Sequence, residues 1–327
     1  MKRHLLTLAI AATLLPLAAQ AAPRVYGQLN LSVDYMDSDV TAPSADTWEL
    51  NSNSSRVGVK GAEKLTEEYT AVYKMEWEVN GDVGGADLKA RERYIGIKHY
   101  QWGTIRLGNI DAPFKNAEDD VDMFNDLTHL DMGNFIYGQN RLANSINYVS
   151  PKFLDVFGAN ITLQPGEGNT ATPSAGATVN ENHLADGYST ALSYEDDSLY
   201  LSFAMDKEIT NMDAMRFNAR YKMGDMMLSG MYQMAEPTKG ANAQEDSFVV
   251  SGSYKMDMMT FRGEVLVSNK ETGLNTDMDT TLIGVGIDYN ITENTKVFGN
   301  LANTKVAATG AADTTTTYLG VGTEVRF

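Results

Sequence analysis

The segment FKNAEDDVDMFND, residues 114–126, sets Glu118, Asp119, Asp120, Asp122 and Asp126 around a single base, Lys115, without a regular period. Carboxylates at this density can do two things. In a solvated loop they attract cations, divalent ones included; in a narrow, partly desolvated space they set the field that selects ions. Phe114, Met123, Phe124 and Leu127 lie among the acids, and a fully solvated loop does not need them. Asp119, Asp120 and Asp122, like NTDMDTT at 275–281, carry oxygen ligands but lack the loop glycine and terminal Glu of an EF-hand, so no metal is assigned. A nucleophile triad has little to draw on. His99, His129 and His183 are the histidines beyond the N-terminal segment, and the first and last fall at opposite ends of the strands expected around them. No phosphate or dinucleotide glycine motif is present, so neither an enzyme nor a cofactor is implied.

The elements that must hold these acids follow from periodicity. VYGQLNLSVDY places Val25, Gly27, Leu29, Leu31, Val33 and Tyr35 on one face and Tyr26, Gln28, Asn30, Ser32 and Asp34 on the other, a period of two. The pattern returns in YTAVYKMEWEVN and around Phe157, Leu201, Phe217, Phe261 and Val285. Breaks between these segments alternate. Short ones fall near 61–67, 99–103, 150–154, 194–198, 222–226, 255–258 and 289–294. Longer ones, rich in Gly, Thr, Asn and Asp, fall near 37–46, 80–88, 109–140, 164–184, 206–212, 236–246, 269–279 and 304–314. That alternation predicts an all-β, 16-stranded antiparallel transmembrane β-barrel with its loops on one rim and its turns on the other. A soluble sandwich has no reason to sort connections by length.

Composition agrees. The chain has 327 residues, no Cys and a formal charge of −17. MKRHLLTLAIAATLLPLAAQA carries a basic start, an apolar run and an Ala19-Gln20-Ala21 end, the pattern of a cleaved secretory signal over 1–21, leaving one domain over 22–327. Loss of Lys2 and Arg3 leaves 24 bases against 43 acids, a charge of −19, which excludes nucleic acid as a partner. No later run of about 18 apolar residues could form a membrane helix. In ADLKARERYIGIK, strict alternation puts Arg91 and Arg93 on a face with Ile95 and Ile97, a mixture that suits a subunit contact better than lipid. Around 141, the same counting puts Arg141 with Ser145 and Asn147, and Leu142, Ile146 and Tyr148 toward lipid.

The order VYGQLN, SRVGVKGAEKLTEEYTAVYKMEWEVN, RERYIGIKHYQWGTIRLGN, an acidic loop, RLANSINYVSP and YLGVGTEVRF resembles the general bacterial porins of Gram-negative outer membranes, nearest the neisserial and Comamonas-like branch. The resemblance implies a homotrimer embedded in outer-membrane lipid and lipopolysaccharide, passing small hydrophilic solutes and ions. It further implies a third loop folded inward, with its acids opposite wall arginines that match Arg56, Arg91 and Arg141. Glu118, Asp119, Asp120, Asp122 and Asp126 are the candidate loop acids; the Pro-Glu-Phe-Gly-Gly motif that would single one out is absent. Phe327 is similar to the terminal signal read by the barrel-assembly machinery. Net charge and the acidic loop together suggest a weak preference for cations. The alternatives are a substrate-selective channel and a non-conducting structural or adhesive barrel.

Overall fold

The computed structural model describes residues 23–39, 46–85, 88–166, 170–171, 179–180, 183–238, 243–272 and 277–327. The expected signal at 1–21 lies outside them, as do parts of several expected loops. In chain order the strands are β1 (Arg24–Ser38), β2 (Asp46–Ser52), β3 (Arg56–Lys64), β4 (Tyr69–Val79), β5 (Leu88–His99), β6 (Gly103–Asp111), β7 (Arg141–Val149) and β8 (Phe157–Gln164). There follow β9 (Thr170–Ala171), β10 (Val179–Asn180), β11 (Gly187–Glu195), β12 (Leu199–Ile209), β13 (Met212–Met223), β14 (Met226–Pro237) and β15 (Gln244–Met256). The last are β16 (Met259–Glu271), β17 (Met278–Thr292), β18 (Thr295–Ala308) and β19 (Thr314–Arg326). β2 and β3 both pair with β1 and act as one strand interrupted at 53–55, while β9 and β10 form a separate hairpin. The remainder closes as a 16-stranded antiparallel barrel, because β19 pairs with β1 from Gln28↔Arg326 to Ser38↔Thr316. Closure removes both edges that an open sheet would present.

The barrel is inverted relative to a soluble protein. Polar side chains such as Gln28, Asn30, Ser32, Asn147, Asn218 and Asn300 are buried on the inner face. Val25, Leu29, Val33, Leu107, Phe217, Phe248, Val265, Val285 and Leu319 stand exposed on the outer face. Water would penalise that exterior and hydrocarbon does not. Aromatics gather at the turn rim, where His99 lies within 4.9 Å of the Tyr69 ring and 5.0 Å of the Tyr100 ring, beside Trp102.

Strict alternation fails where the strands bulge. The β4–β5 register shifts between Met75 and Trp77, so one extra residue of β5 is absorbed and parity reverses there. Arg91 is thereby turned inward, 2.7 Å from Glu76, while Arg93 stays outward opposite Met75. The two do not share a face. A second shift, between Gly108 and Ile110, meets Asn144 at φ 52° and brings Leu142 inside, where it is 2% exposed rather than facing lipid. The long connection expected near 206–212 is a two-residue turn, Thr210 and Asn211, both at positive φ, the conformation that matches strand twist in a tight hairpin.

Candidate pore constriction

Between β6 and β7 the chain runs from 112 to 140 and crosses the barrel interior. Pro113, fixed in φ and needing no amide partner, opens a single helical turn (Pro113–Asn116). Beyond it Val121, Phe124, Leu127, Leu130 and Met132 are buried against Met231, Val249, Leu266, Leu282, Phe298, Ala302 and Tyr318. Those wall residues belong to β14–β19, and Met231, Val249, Leu266 and Leu282 align in one row straight across four strands by register. An apolar stripe on an otherwise polar lumen is therefore the seat of the loop. Phe124 lies over Gly284 and Gly286: a Cβ at Gly284 would stand 2.6 Å from its ring, so the two glycines of GVGIDYN form its socket.

Charge fixes the same edge. Arg216, 0% exposed, donates to Glu118 Oε2 at 2.9 Å, to the Phe114 and Tyr137 carbonyls and to Gln233 Oε1, and lies over the Phe114 ring at 4.3 Å. Arg220 pairs with Asp119 and, at 3.3 Å, with Asp120. Arg262 donates to the Met123 carbonyl, and the Met123 amide donates to Glu264 at 2.8 Å. Asp122 is turned into the loop, accepting from the Phe124 and Met132 amides at 2.8 and 2.9 Å. Asp131 caps the following 3-10 turn by accepting from Gly133 at 2.7 Å. Burial raises Glu118 above the usual carboxylate range, against the pull of Arg216. Burial, then repulsion from Glu264, Asp131 and Glu118, raises Asp122 well above it. Asp119 and Asp131 are raised by burial as well.

The opposite edge of the loop meets β1–β7 through fewer contacts. Asp126, at φ 72°, accepts from Arg56 at 2.8 Å and from Gln28 at 3.4 Å. Thr128 donates to Asn53, and His129 lies 2.9 Å from Glu49. Lining this wall are Arg91 with Glu76 and Glu78, Lys74 with Glu76 and Glu92, and Arg141 with Asp111 at 2.7 Å. Arg106 donates to Asn147 and lies over Tyr94, and Lys60 lies over Tyr26; neither has an acid partner among the described residues. Of the five loop acids singled out in the sequence, Asp126 is thus the one paired with a wall arginine singled out there. Glu118, Asp119 and Asp120 are paired with Arg216 and Arg220 across the lumen, and Asp122 bonds its own loop.

The signal for that far edge was present in the sequence. Phe248-Val249-Val250 and Val265-Leu266-Val267 break the period of two with an apolar residue on the polar face. At the seam, the Phe327 amide and carbonyl exchange hydrogen bonds with Gly27 at 3.0 and 2.9 Å, and the Phe327 ring covers that glycine.

A closed barrel with an apolar exterior, a polar bore and an internal loop defines a transmembrane β-barrel of the outer-membrane type. The Gram-negative porin family model matches residues 7–309, and the chain belongs to that family. Among curated relatives, the major outer membrane protein P.IB of Neisseria sicca is 27% identical over 270 residues, 78% of this chain and 72% of that one. Outer membrane porin protein 32 of Delftia acidovorans is 24% identical over 92% of this chain and 89% of its own. Among solved structures, the anion-selective porin from Comamonas acidovorans aligns with a TM-score of 0.77 at 20% identity, covering 94% of this chain and 99% of that one. The trimer form of OmpT from Vibrio cholerae aligns with a TM-score of 0.70 at 16% identity, over 93% and 99%. The protein is a diffusion channel of the Gram-negative outer membrane.

Proposed function

We propose that small hydrophilic solutes and ions pass beside the Arg56–Asp126 contact, between loop 112–140 and the stretch of wall that carries Arg91 and Arg141, so that these three arginines and Asp126 bound the constriction. One observation carries this reading: the loop is seated by apolar and ionic contacts on the β13–β19 side and touches the other wall sparsely. Glu118, Asp119, Asp120 and Asp122 belong to the constriction as the groups that hold the loop in place. Arg56 and Asp126, paired at 2.8 Å, brace the loop at the edge of the path.

The expectation of cation preference rested on the net charge and the acidic loop, and three of the five loop acids are paired with Arg216 and Arg220. On the open wall Glu76, Glu92 and Asp111 each have a base, and Lys60 and Arg106 remain without an acid among the described residues. We therefore assign the constriction a weak preference for anions, in keeping with the anion-selective Comamonas porin. Reversal potential in a planar bilayer under a salt gradient tests this, and a potential of cation-selective sign refutes it. The working unit is a homotrimer in outer-membrane lipid and lipopolysaccharide, a reading supported by the trimer form of the Vibrio relative. Phe327, at the closing seam, serves as the signal for the barrel-assembly machinery.

A further inference from the structure

The wall that carries Arg56 is irregular at one place. β2 pairs with β1 as far as Leu31↔Ser52 and β3 resumes at Gln28↔Arg56, so three residues, Asn53 to Ser55, stand opposite two, Leu29 and Asn30. Counting by twos from Asn51, which bonds Asp34 inside the barrel, turns Asn53 and Ser55 inward and Arg56 outward. The extra residue, with Ser54 at φ 49°, returns Arg56 to the lumen, so Asn53 and Arg56 face inward together although they are three apart. The interruption is well held. Asn53 and Ser55 are fully buried. The Ser55 hydroxyl accepts from the Asn30 amide at 2.9 Å and donates to the Asn30 carbonyl at 3.2 Å, and that carbonyl also accepts from the Asn53 amide at 2.8 Å.

Each of the two side chains holds one residue of the loop tip. The Asn53 carboxamide nitrogen donates to Ser32 at 2.8 Å and to Asn30 at 3.4 Å, which turns its oxygen toward the loop. That oxygen accepts from both the amide and the hydroxyl of Thr128, each at 3.0 Å. Arg56 donates to the displaced Ser54 carbonyl at 3.1 Å and to Asp126 at 2.8 Å. His129 adds its contact with Glu49 on β2. Leu127 and Leu130 of the same tip are buried instead in the apolar cluster of β14–β19. We infer that the extra residue at 53–55 makes a clasp for the loop tip, and that Asn53 is the positioning residue that fixes the width of the channel. The contacts along β13–β19 hold the loop in the barrel; the clasp fixes where its tip stands. Without it the tip would be able to move across the bore, and the opening would have no set size. The inference rests on the path proposed beside Arg56 and Asp126 and adds what determines its width.

The reconstituted full-length protein provides the test, with wild-type conductance measured first so that failure of the channel reading would show there. Asn53→Ala removes both bonds to Thr128, Thr128→Val removes the hydroxyl bond alone, and Thr128→Ser keeps both. Hydrogen exchange at residue 128 is expected to accelerate about tenfold or more in Asn53→Ala, less in Thr128→Val and hardly at all in Thr128→Ser. The amides of Ala117, Glu118 and Val121, on the seated side, should keep their rates. The double variant should exchange no faster than Asn53→Ala alone, because Thr128 has then already lost its partner; additive effects would overturn the clasp. Thr128→Val leaves the wall untouched and carries the test where Asn53→Ala does not fold, and equal exchange in Thr128→Val and Thr128→Ser would overturn the clasp as well. In planar bilayers the clasp variants are expected to admit larger polyethylene glycols than the wild type. An unchanged exclusion limit would overturn the assignment of channel width to Asn53.

Discussion

Arg216→Met removes the centre of the loop's seat while leaving the barrel wall intact. The guanidinium is fully buried and satisfies Glu118, the Phe114 and Tyr137 carbonyls and Gln233. After substitution Glu118 keeps its bond from Gln139 Nε2 at 2.6 Å but loses its buried counter-charge, and two carbonyls lose a donor. Breaking a buried pair from one side costs about 3–5 kcal/mol. With about 1.4 kcal/mol per factor of ten, the local opening equilibrium of the loop shifts by roughly two to three and a half orders of magnitude. Hydrogen exchange reads this directly. Amides of 112–140, including those of Phe124 and Met132, should exchange about a hundredfold faster or more, while β13–β19 keep their protection because the ladder bonds are untouched. Open-channel current noise should rise in parallel. Unchanged loop exchange would refute the anchoring role, and an equal acceleration in the wall strands would show that Arg216 stabilises the barrel instead.

Acid should tighten the same seat. Glu118, Asp122 and Asp131 are raised, so between about pH 4 and their raised values the seated loop binds more protons than the released one, and its stability falls as pH rises through that window. Loop exchange corrected for intrinsic rate should therefore be slower at pH 4.5 than at pH 7.5, and the reverse order would contradict the burial of these acids. Gly284→Val forces the Phe124 ring from its socket at a cost of about 1–3 kcal/mol, read as faster exchange around 121–127; a silent variant would dismiss the socket. Lys60→Ala with Arg106→Ala should move the reversal potential toward cations, and no movement would place the path elsewhere. Phe327→Ser leaves the backbone pairing with Gly27 possible but strips the ring from it, so the heat-modifiable folded fraction should drop after expression; an undiminished fraction would remove Phe327 from assembly.

Strand number and the sorting of connections were legible because each rests on a local rule, while the inward course of the long loop came with the resemblance to the porins. A period of two marks a wall with two different faces, and Phe114 and Phe124 amid acids mark a loop that must be buried. Parity was legible only up to the first bulge. One extra residue reverses every face beyond it, which is why Arg91 and Arg93, joined by counting, are parted by the register shift at Met75. The partners of Glu118, Asp119 and Asp120 were not legible. Glu118 and Arg216 are 98 residues apart, and nothing in the spacing of either reports that their strands face one another across a bore.

The division of the loop's acids follows from the same geometry. A loop crossing a water-filled barrel must be held without filling the bore, so its adhesive groups have to lie along one edge. Apolar residues serve there because β14–β19 present an inward row of Met231, Val249, Leu266 and Leu282. Three acids serve because Arg216 and Arg220 would otherwise be buried bases without counter-charge. An acid consumed in that way contributes little field to a passing ion, since the pair presents a dipole rather than a charge. On the proposed reading the sign of selectivity follows the wall the loop leaves uncovered, where Lys60 and Arg106 have no acid partner among the described residues, and a net charge of −17 for the whole chain is a poor guide to it.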